Sequence, residues 1–278
     1  MRIYMTIGWY PGHMNKARKD ITKLLQQIDL VVELVDARLP YSSENPLLNA
    51  LIANITHLKV LNKSDLADPV VTGLWLEYYK HRNITAYALD KTQKESIKKL
   101  LKTARKLSDK KSDQVLRIMV VGIPNVGKST FLNILLDKKV AKVGNEPAIT
   151  KAASEISLND SIKLIDTPGV LWPKIEDQDS AYRLAVTGAI KNTAIEFEDI
   201  ALFAVEFLSK AYPESLIRRY QLDDVQQEAS RLLEAIARQR GCLRKSGVDF
   251  HKASEVLLND IRSGALGKIS LEKPEPAL

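Results

Sequence analysis

The sequence predicts an α/β domain over residues 1–175, followed by an all-helical domain over residues 176–278. In the first part, continuous apolar runs of strand length alternate with segments whose apolar residues recur at helical spacing. This alternation favours a mostly parallel sheet flanked by helices, with right-handed crossovers between the strands. After about Asp179 the strand signals stop and only helical periodicity continues. The predicted class is therefore an α/β fold with an all-α C-terminal part.

The chain up to residue 107 is predicted to alternate between helices and strands. In chain order these are a helix at 13–28, a strand within 29–40, a short helix at 45–53, a strand at 57–62, a helix at 70–82, a strand at 84–89 and a helix at 93–107. Residues 108–114 are polar and lack apolar anchors, so this segment is interpreted as a linker.

A second strand-rich block follows the linker. It contains a buried strand at 115–122, a helix at 128–137 and a hairpin at 153–166, whose turn is Asn159-Asp160-Ser161. The helices predicted for the C-terminal part are at 180–191, 197–213, 223–241 and 250–264. Residues 271–278 are expected to form a frayed tail.

The composition is that of an ordinary globular protein, with 45% hydrophobic and 27% charged residues. The single cysteine, Cys242, excludes an internal disulfide and favours a reducing compartment, for which the cytoplasm is the simplest choice. No apolar run reaches the roughly 18 to 20 residues that cross a bilayer, so stable membrane insertion is not expected. The net charge of +7 favours nucleic acid or another anionic surface as a partner.

A phosphate-binding loop is predicted between the strand at 115–122 and the helix at 128–137. Residues Gly122 to Ser129 fit the pattern G-x-x-x-x-G-K-[ST]. In such a loop, backbone N–H groups surround phosphate oxygens, Lys128 supplies a positive charge to the outer phosphates, and Ser129 offers a hydroxyl to Mg²⁺. An ordinary glycine-containing turn is the alternative, but the strand before and the helix after favour the phosphate loop.

A guanine-recognition motif is predicted where the strand at 57–62 ends. Asn62 would contact the base edge, the Lys63 stem would lie along the ring, and the Asp65 carboxylate would accept hydrogen bonds from guanine N1–H and the 2-amino group. Adenine lacks this pair of donors, so such a site rejects ATP. The alternative is a helix N-cap formed by Ser64 or Asp65, and both interpretations can hold together.

A nucleotide switch is predicted around the strand that ends at Asp166. Asp166 would lie on the metal side of the site, and Gly169 would offer a backbone N–H to the γ-phosphate. Thr150 is a candidate second hydroxyl ligand of Mg²⁺, although taken alone it fits a plain surface threonine better. The order of phosphate loop, threonine and Asp-Thr-Pro-Gly favours the functional interpretation.

With these motifs in place, the chain resembles circularly permuted P-loop GTPases, whose motifs follow the order G4, G5, G1, G2, G3. It is similar in particular to the ribosome biogenesis GTPase A (YlqF) family. The stretches that carry the resemblance are WYPGHMNKAR (9–18), LVDARLPYSSENP (34–46), LNKSD (61–65), GIPNVGKST (122–130), DTPGVLWPK (166–174), RLAVTGAIK (183–191), RGCL (240–243) and LLNDIRSGALGKISLE (257–272). Several of these lie outside the motifs that all GTPases share.

The resemblance implies a GTPase that assists late maturation of the large (50S) ribosomal subunit, in the bacterial cytoplasm or the mitochondrial matrix. Ribosomal particles and their rRNA are the implied partners, GTP or GDP and Mg²⁺ the implied cofactors, and a monomer the implied state. The helical domain would contact RNA. The basic residues available for this are Arg238, Arg240, Arg244, Lys245, Arg262 and Lys268, and solvated helix faces are the alternative for each.

The resemblance also assigns residues around the nucleotide. The implied phosphate contacts are Asn125, Val126, Gly127, Lys128, Ser129, Thr130 and Gly169. Asn125 matches an asparagine that related GTPases use to bind K⁺ near the phosphates. The fifth motif departs from its usual Ser-Ala form, because Asp90 and Lys91 stand there. The switch loop also departs, since Ala148 replaces the usual glycine.

The catalytic residue is less evident than the binding residues. Many GTPases place a glutamine directly after the switch glycine to orient the attacking water, whereas this chain has Val170. Either a partner completes the site, or another side chain does, and the resemblance implies His13. The alternative is that His13 only braces the N-terminal segment. Two other functions stay open: an RNA-binding scaffold that binds GTP with negligible turnover, and a P-loop ATPase or kinase, against which Asp65 argues.

Overall fold

The central feature of the protein is a six-stranded, mostly parallel sheet, which confirms the predicted α/β class. This computed structural model describes residues 21–89, 94–111, 113–136, 154–169, 175, 177–190, 196–245 and 247–275. The strands are β1 (Leu30–Asp36), β2 (His57–Asn62), β3 (Ala86–Leu89), β4 (Leu116–Gly122), β5 (Ser154–Asn159) and β6 (Ile162–Asp166). Their spatial order is β3-β2-β1-β4-β6-β5, and only β5 runs antiparallel to its neighbour.

The register of the sheet brings the functional loops to one edge. Asp36 on β1 lies opposite Asn62 on β2, and Leu34 on β1 lies opposite Gly122 on β4. On the other side of β4, Val120 lies opposite Asp166. Ligands bind in α/β sheets at the carboxyl ends of the strands. The reversed motif order therefore leaves the site intact, because the loops meet in space whatever their order along the chain.

Helices cover both faces of the sheet in the first part of the chain. They are α1 (Pro40–Ser43), α2 (Pro46–Ile52), α3 (Pro69–His81), α4 (Lys94–Leu107) and α5 (Lys128–Leu136). Residues 21–25 are also helical and belong to the helix predicted at 13–28, whose beginning lies outside the described residues. Asn45 and Asp68 cap α2 and α3 with their side chains, and a proline follows each cap at the first helical position.

The C-terminal part is mainly helical, as the periodicity predicts. It contains α6 (Gln178–Thr187), α7 (Phe197–Ala211), α8 (Pro213–Tyr220), α9 (Ala229–Gln239) and α10 (Phe250–Ser263). Its apolar side chains join those of the sheet in one large hydrophobic cluster, which includes Leu34 and Val120 together with Leu184 and Leu257. The helical part therefore packs directly on the α/β part, and the boundary at 175/176 stays a prediction.

Four details differ from the sequence predictions. The helix predicted at 223–241 begins only at Ala229. The helix predicted at 197–213 ends at Ala211, and Pro213 begins the separate helix α8. A two-stranded hairpin, β7 (Leu243–Arg244) and β8 (Gly247–Val248), occurs where no further strand was expected. The tail predicted from residue 271 is wrong at its start, since Leu271 is buried. Among the described helices, none is both long and apolar enough to span a membrane.

Candidate nucleotide site

The predicted guanine-recognition loop and the predicted phosphate loop are hydrogen-bonded to each other. The Asn62 side-chain amide donates to the backbone carbonyl of Val126 at 2.8 Å. The Lys63 ammonium donates to the backbone carbonyl of Asn125 at 2.7 Å. Two loops that are more than sixty residues apart in the chain are therefore in direct contact at the carboxyl edge of the sheet.

Gly127 is the residue that makes this contact sterically feasible. Its backbone φ is +100°, a region that L side chains rarely adopt. A Cβ at this position would lie 2.4 Å from Asn62 Nδ2. The second glycine of the phosphate loop is thus required by the asparagine of the other loop as well as by the turn itself.

A buried ion-pair cluster holds Lys63 in place. Lys63 adopts a left-handed backbone with φ 60°, which costs a residue other than glycine about 1 kcal/mol or more. Its ammonium donates to Asp36 Oδ2 at 3.0 Å, in addition to Asn125. Both Asp36 oxygens also accept from the Arg38 guanidinium, at 2.9 and 2.7 Å. These tertiary contacts offset the local strain of the recognition loop.

The electrostatics of this cluster favour its charged form. Burial acts to raise the pKa of Asp36, but the charges of Arg38 and Lys63 outweigh it and hold that pKa well below its usual range. Sequence reasoning missed the roles of Asp36 and Arg38. The available signal was two charged residues placed directly where the buried β1 run ends.

The helix-cap alternative for the recognition motif is wrong. The N-cap of α3 is Asp68, whose Oδ1 accepts from the backbone N–H groups of Val70 and Val71. Ser64 instead uses its backbone N–H to bond the Leu89 carbonyl at the end of β3, at 3.1 Å. Ser64 and Asp65 therefore lie in the loop before the helix, at the edge where the site forms.

Lys128 is folded back into the phosphate loop. Its ammonium donates to the carbonyls of Gly122 and Ile123, at 3.0 and 2.8 Å, and the side chain is buried. Burial lowers the pKa of Lys128 to about 8, with Lys63 adding to the shift and Asp166 opposing it. A partly desolvated cation inside the phosphate loop is suited to bind phosphate oxygens.

The residues near the end of β6 fit a magnesium nucleotide. Asp166 is buried at the strand end, and Ser129 lies in the first turn of α5. Their carboxylate and hydroxyl oxygens are hard donors of the kind Mg²⁺ prefers. Gly169 approaches the phosphate loop so closely that a Cβ would lie 2.8 Å from the Pro124 backbone and 3.1 Å from Lys128 Nζ. The third motif is therefore next to the loop, as its role requires.

The phosphate loop also contacts the helical part. The Asn125 amide donates to the carbonyl of Gly188, the left-handed C-cap of α6, at 2.7 Å. The Arg262 guanidinium bonds the carbonyls of Ala185 and Val186 at the same helix end, each at 2.8 Å. Arg262 thus serves as a helix cap inside the protein, and we leave it out of the predicted RNA surface.

The remaining predicted residues fall into three sets: two more residues of the phosphate loop, the basic residues, and those outside the described residues. Val126 is buried, and Thr130 lies in the first turn of α5 beside Ser129. The basic residues at solvent are Arg238, Arg240, Arg244, Lys245 and Lys268. Four of these five belong to the end of α9 and the β7–β8 hairpin. His13, Asp90, Lys91, Thr150 and Val170 lie outside the described residues.

Comparison with known proteins gives a consistent result. A family model described as "50S ribosome-binding GTPase" matches residues 117–242. The chain is 44% identical to ribosome biogenesis GTPase A of Priestia megaterium, over 98% of this chain and 99% of that protein. It is 30% identical to mitochondrial ribosome-associated GTPase 1 of Mus musculus, over 95% of this chain and 90% of the relative.

A solved structure supports the same assignment. The GNP-bound crystal structure of YlqF from T. maritima superimposes with a TM-score of 0.69 at 29% identity, covering 94% of this chain and 99% of that one. The near-complete coverage includes both the sheet and the C-terminal helices. This chain belongs to the ribosome biogenesis GTPase A family.

Proposed function

We propose that this GTPase binds GTP at the two adjoining loops described above, hydrolyses it slowly alone, and acts as a switch in late maturation of the large ribosomal subunit. The observation that carries the proposal is the pair of hydrogen bonds from Asn62 and Lys63 to the phosphate loop. These bonds make the base-recognition loop and the phosphate loop two halves of one site. A nucleotide bound by one loop would necessarily contact the other.

Each half of the site supplies a different kind of recognition. Asp65 accepts hydrogen bonds from guanine N1–H and its 2-amino group, with Asn62 at the base edge and Lys63 along the ring. Backbone N–H groups of 125–130 and of Gly169 bind the phosphates, with the Lys128 ammonium as their counter-charge. On binding, Lys128 exchanges the carbonyls of Gly122 and Ile123 for phosphate oxygens.

The metal-side residues complete the site. Ser129, Asp166 and Thr150 would hold Mg²⁺, which when bound neutralises charge on the β- and γ-phosphates. Asn125 is placed at the phosphate loop, where it would also contribute to a K⁺ site. Asp90 and Lys91 would close the base pocket from the fifth motif. These roles follow the family resemblance, and the residue types fit it except at Asp90 and Lys91, where the fifth motif departs from its usual form.

Catalysis is proposed to depend on the ribosomal particle. Val170 stands where many GTPases have their water-orienting glutamine, and an apolar side chain cannot hold water. An imidazole can orient or accept a proton from water near pH 7, so we assign this role to His13. Turnover would be feeble until the particle brings His13, or a group of its own, to the γ-phosphate.

The particle itself would be recognised through charge. The exposed cations Arg238, Arg240, Arg244 and Lys245 follow one another at the end of α9 and in the hairpin after it. Such side chains bind the phosphate backbone of RNA without reading its sequence. We propose that they and Lys268 contact rRNA, that the protein acts as a monomer, and that it works in the bacterial cytoplasm.

The proposal is tested by phosphate release from GTP, measured with and without large-subunit particles. We expect slow release alone and a clear increase with particles. ATP in excess should compete poorly, because Asp65 selects guanine. Strong competition by ATP would reject the assignment of the guanine site. An Asp65→Asn variant should lose affinity for GDP while leaving the fold unchanged by circular dichroism.

Val170 also favours a second candidate function. A chain without its own water-orienting side chain could bind RNA as a scaffold whose GTP is never hydrolysed at a useful rate. Single-turnover hydrolysis in the presence of particles separates the two functions. Release no faster than for the protein alone would favour the scaffold.

A further inference from the structure

The segment after the last helix returns to the guanine-recognition loop and binds it. We define residues 266–272 as the strap. Ile269 donates its backbone N–H to the Leu66 carbonyl at 2.9 Å, and the Asp68 backbone N–H donates to Ser270 Oγ at 3.2 Å. Leu66 and Asp68 belong to the loop that carries Asn62, Lys63 and Asp65. The recognition loop is therefore hydrogen-bonded to residues some two hundred positions later in the chain.

The strap is buried and hydrogen-bonded to the rest of the protein. Ile269, Ser270 and Leu271 are each no more than 3% exposed. The Glu272 carboxylate accepts from the backbone N–H and the hydroxyl of Ser42. A contact with Tyr212 adds to this, since its hydroxyl accepts from Ser270 N–H at 3.1 Å and lies 3.3 Å from the Asp68 carboxylate. The strap is thus held by Ser42 at its C-terminal end and by Tyr212 beside its contacts with the loop.

The strap also reaches the ion-pair cluster behind Lys63. Leu271 donates its backbone N–H to the Arg38 carbonyl at 2.7 Å. The Arg38 side chain bonds both oxygens of Asp36, and Asp36 in turn bonds the Lys63 ammonium. Lys63 is in the left-handed conformation, which persists only where surrounding contacts enforce it. The strap is joined to those contacts through the backbone of Arg38.

We propose that the strap is a positioning element for guanine recognition: it holds the loop of Asn62, Lys63 and Asp65 in the conformation that binds the base. The proposal rests on the proposed function, because it assumes that this loop reads guanine. It adds that affinity and base selectivity depend on Ser270 and Tyr212, residues that would not touch the nucleotide. A loosened strap lets Asp65 move away from the two guanine donors it must meet together.

The test uses the full-length double variant Ser270→Ala/Tyr212→Phe. It removes two hydroxyls that bridge the strap to the loop and keeps the apolar bulk of both side chains. The matched control is Ser254→Ala/Tyr220→Phe, which deletes two hydroxyls of the helical part on side chains at least as deeply buried as Ser270 and Tyr212. Ser254 bonds the Phe250 carbonyl and Tyr220 bonds Asp260, both away from the recognition loop.

The readout compares GDP with inosine diphosphate, which lacks the 2-amino group. We expect the strap variant to bind GDP about 5- to 20-fold more weakly than wild type, the equivalent of one to two hydrogen bonds. The ratio of GDP to inosine diphosphate affinity should fall by about threefold or more, because the second hydrogen bond to Asp65 is lost first. The control variant should keep the wild-type GDP affinity and the wild-type ratio of GDP to inosine diphosphate affinity.

Three outcomes would overturn the inference. They are an unchanged GDP affinity in a folded strap variant, an equal loss for GDP and inosine diphosphate, and an equal loss in the control variant. Unfolding in urea verifies that both variants are folded. If wild-type protein did not prefer GDP to ADP, the proposed guanine site would fail first and the strap inference with it. A wild type that prefers GDP, with an indifferent strap variant, would overturn the strap inference alone.

Discussion

Replacing Asp36 by asparagine would remove the only negative charge that bonds the Arg38 guanidinium directly among the described residues. Arg38 is 2% exposed, and its Nε and one terminal nitrogen bond the two Asp36 oxygens at 2.9 and 2.7 Å. The Lys63 ammonium, 3.0 Å from the same carboxylate, would lose this charged partner and keep its bond to the Asn125 carbonyl. Asparagine keeps the shape of the side chain, so the change acts almost entirely on charge.

The expected cost follows from how deeply the pair is buried. Removing one partner of a buried ion pair leaves an uncompensated charge, which typically costs about 3–5 kcal/mol. That is a large part of the roughly 5–15 kcal/mol by which a domain is stable. We therefore expect Asp36→Asn to lower the free energy of unfolding by about 3 kcal/mol or more. The strained Lys63 should also move, and GDP affinity should fall with it.

Urea unfolding followed by circular dichroism measures this cost. The control is Glu234→Gln, which breaks an Arg–carboxylate pair of similar length, 2.6 Å, whose side chains are 65% and 41% exposed. Exposed pairs contribute about 0–1 kcal/mol, so the control should be nearly neutral. A double variant, Asp36→Asn with Arg38→Gln, should recover part of the loss because the unpaired cation is gone. A cost below about 1 kcal/mol for Asp36→Asn would refute the reasoning.

The pH dependence gives an independent check on the same residue. Because the pKa of Asp36 is lowered in the folded protein, its contribution is complete above the unfolded value near 3.9 and is lost as the pH falls below it. Between pH 6 and pH 3 wild type should lose about 1 kcal/mol from this group alone. The Asp36→Asn variant lacks that contribution, so the difference in free energy of unfolding between wild type and variant should become smaller as the pH falls. A constant difference over this range would contradict the assignment.

Three further predictions concern the loops and the switch. Gly127→Ala should weaken GDP binding about 10- to 100-fold, measured by titration calorimetry, because the new Cβ would lie 2.4 Å from Asn62 Nδ2. The control is Gly73→Ala, in an open position of α3, which should stabilise the fold by about 0.5–1 kcal/mol. Burial lowers the pKa of Lys128 to about 8, so the affinity of wild type for GDP should fall as the pH rises through 8. The Lys128→Arg variant should bind GDP more weakly, but its affinity should not depend on pH in this range. A wild-type affinity that stays constant through pH 8 would contradict this role of Lys128. His13→Ala should keep GDP affinity but lose most particle-stimulated phosphate release, and unchanged stimulation would remove His13 from the mechanism.

The sheet could be predicted because its strands are short apolar runs that end in polar turns. β1, for example, is buried along its whole length, which is typical of a parallel strand covered on both faces. The misses have local causes. The periodicity predicts a helix that ends at Pro213, whereas proline also favours the first position of the next helix. The β7–β8 strands have two residues each, too few to show alternation.

The site could be predicted only where residues act through a local motif. Gly127 and Lys128 are recognisable because the chemistry of a phosphate loop needs them at fixed spacing. The Asn125–Gly188 contact and the strap join positions far apart in the chain, and neither has a periodic or spaced pattern. Leu271 was misinterpreted because a proline-containing, charged end normally frays, whereas here Leu271 and Glu272 find partners on the sheet domain.

These long-range contacts change how the helical part can be coupled to the nucleotide. The sequence suggests a single connection, in which the helices follow directly from the Asp-Thr-Pro-Gly switch and respond to the γ-phosphate. The structure adds two others, from Gly188 to the phosphate loop and from the strap to the guanine loop. Coupling between two binding sites is reciprocal. A ribosomal particle that displaces the strap must therefore weaken GDP binding by the same factor by which GDP weakens binding of the particle. If the strap variant binds GDP tenfold more weakly, a particle that releases the strap completely can favour nucleotide release by at least about that factor, because it also breaks the backbone contacts of Ile269 and Leu271 that the variant keeps. The γ-phosphate switch would then set when the particle is bound, and the strap would set how readily the product leaves.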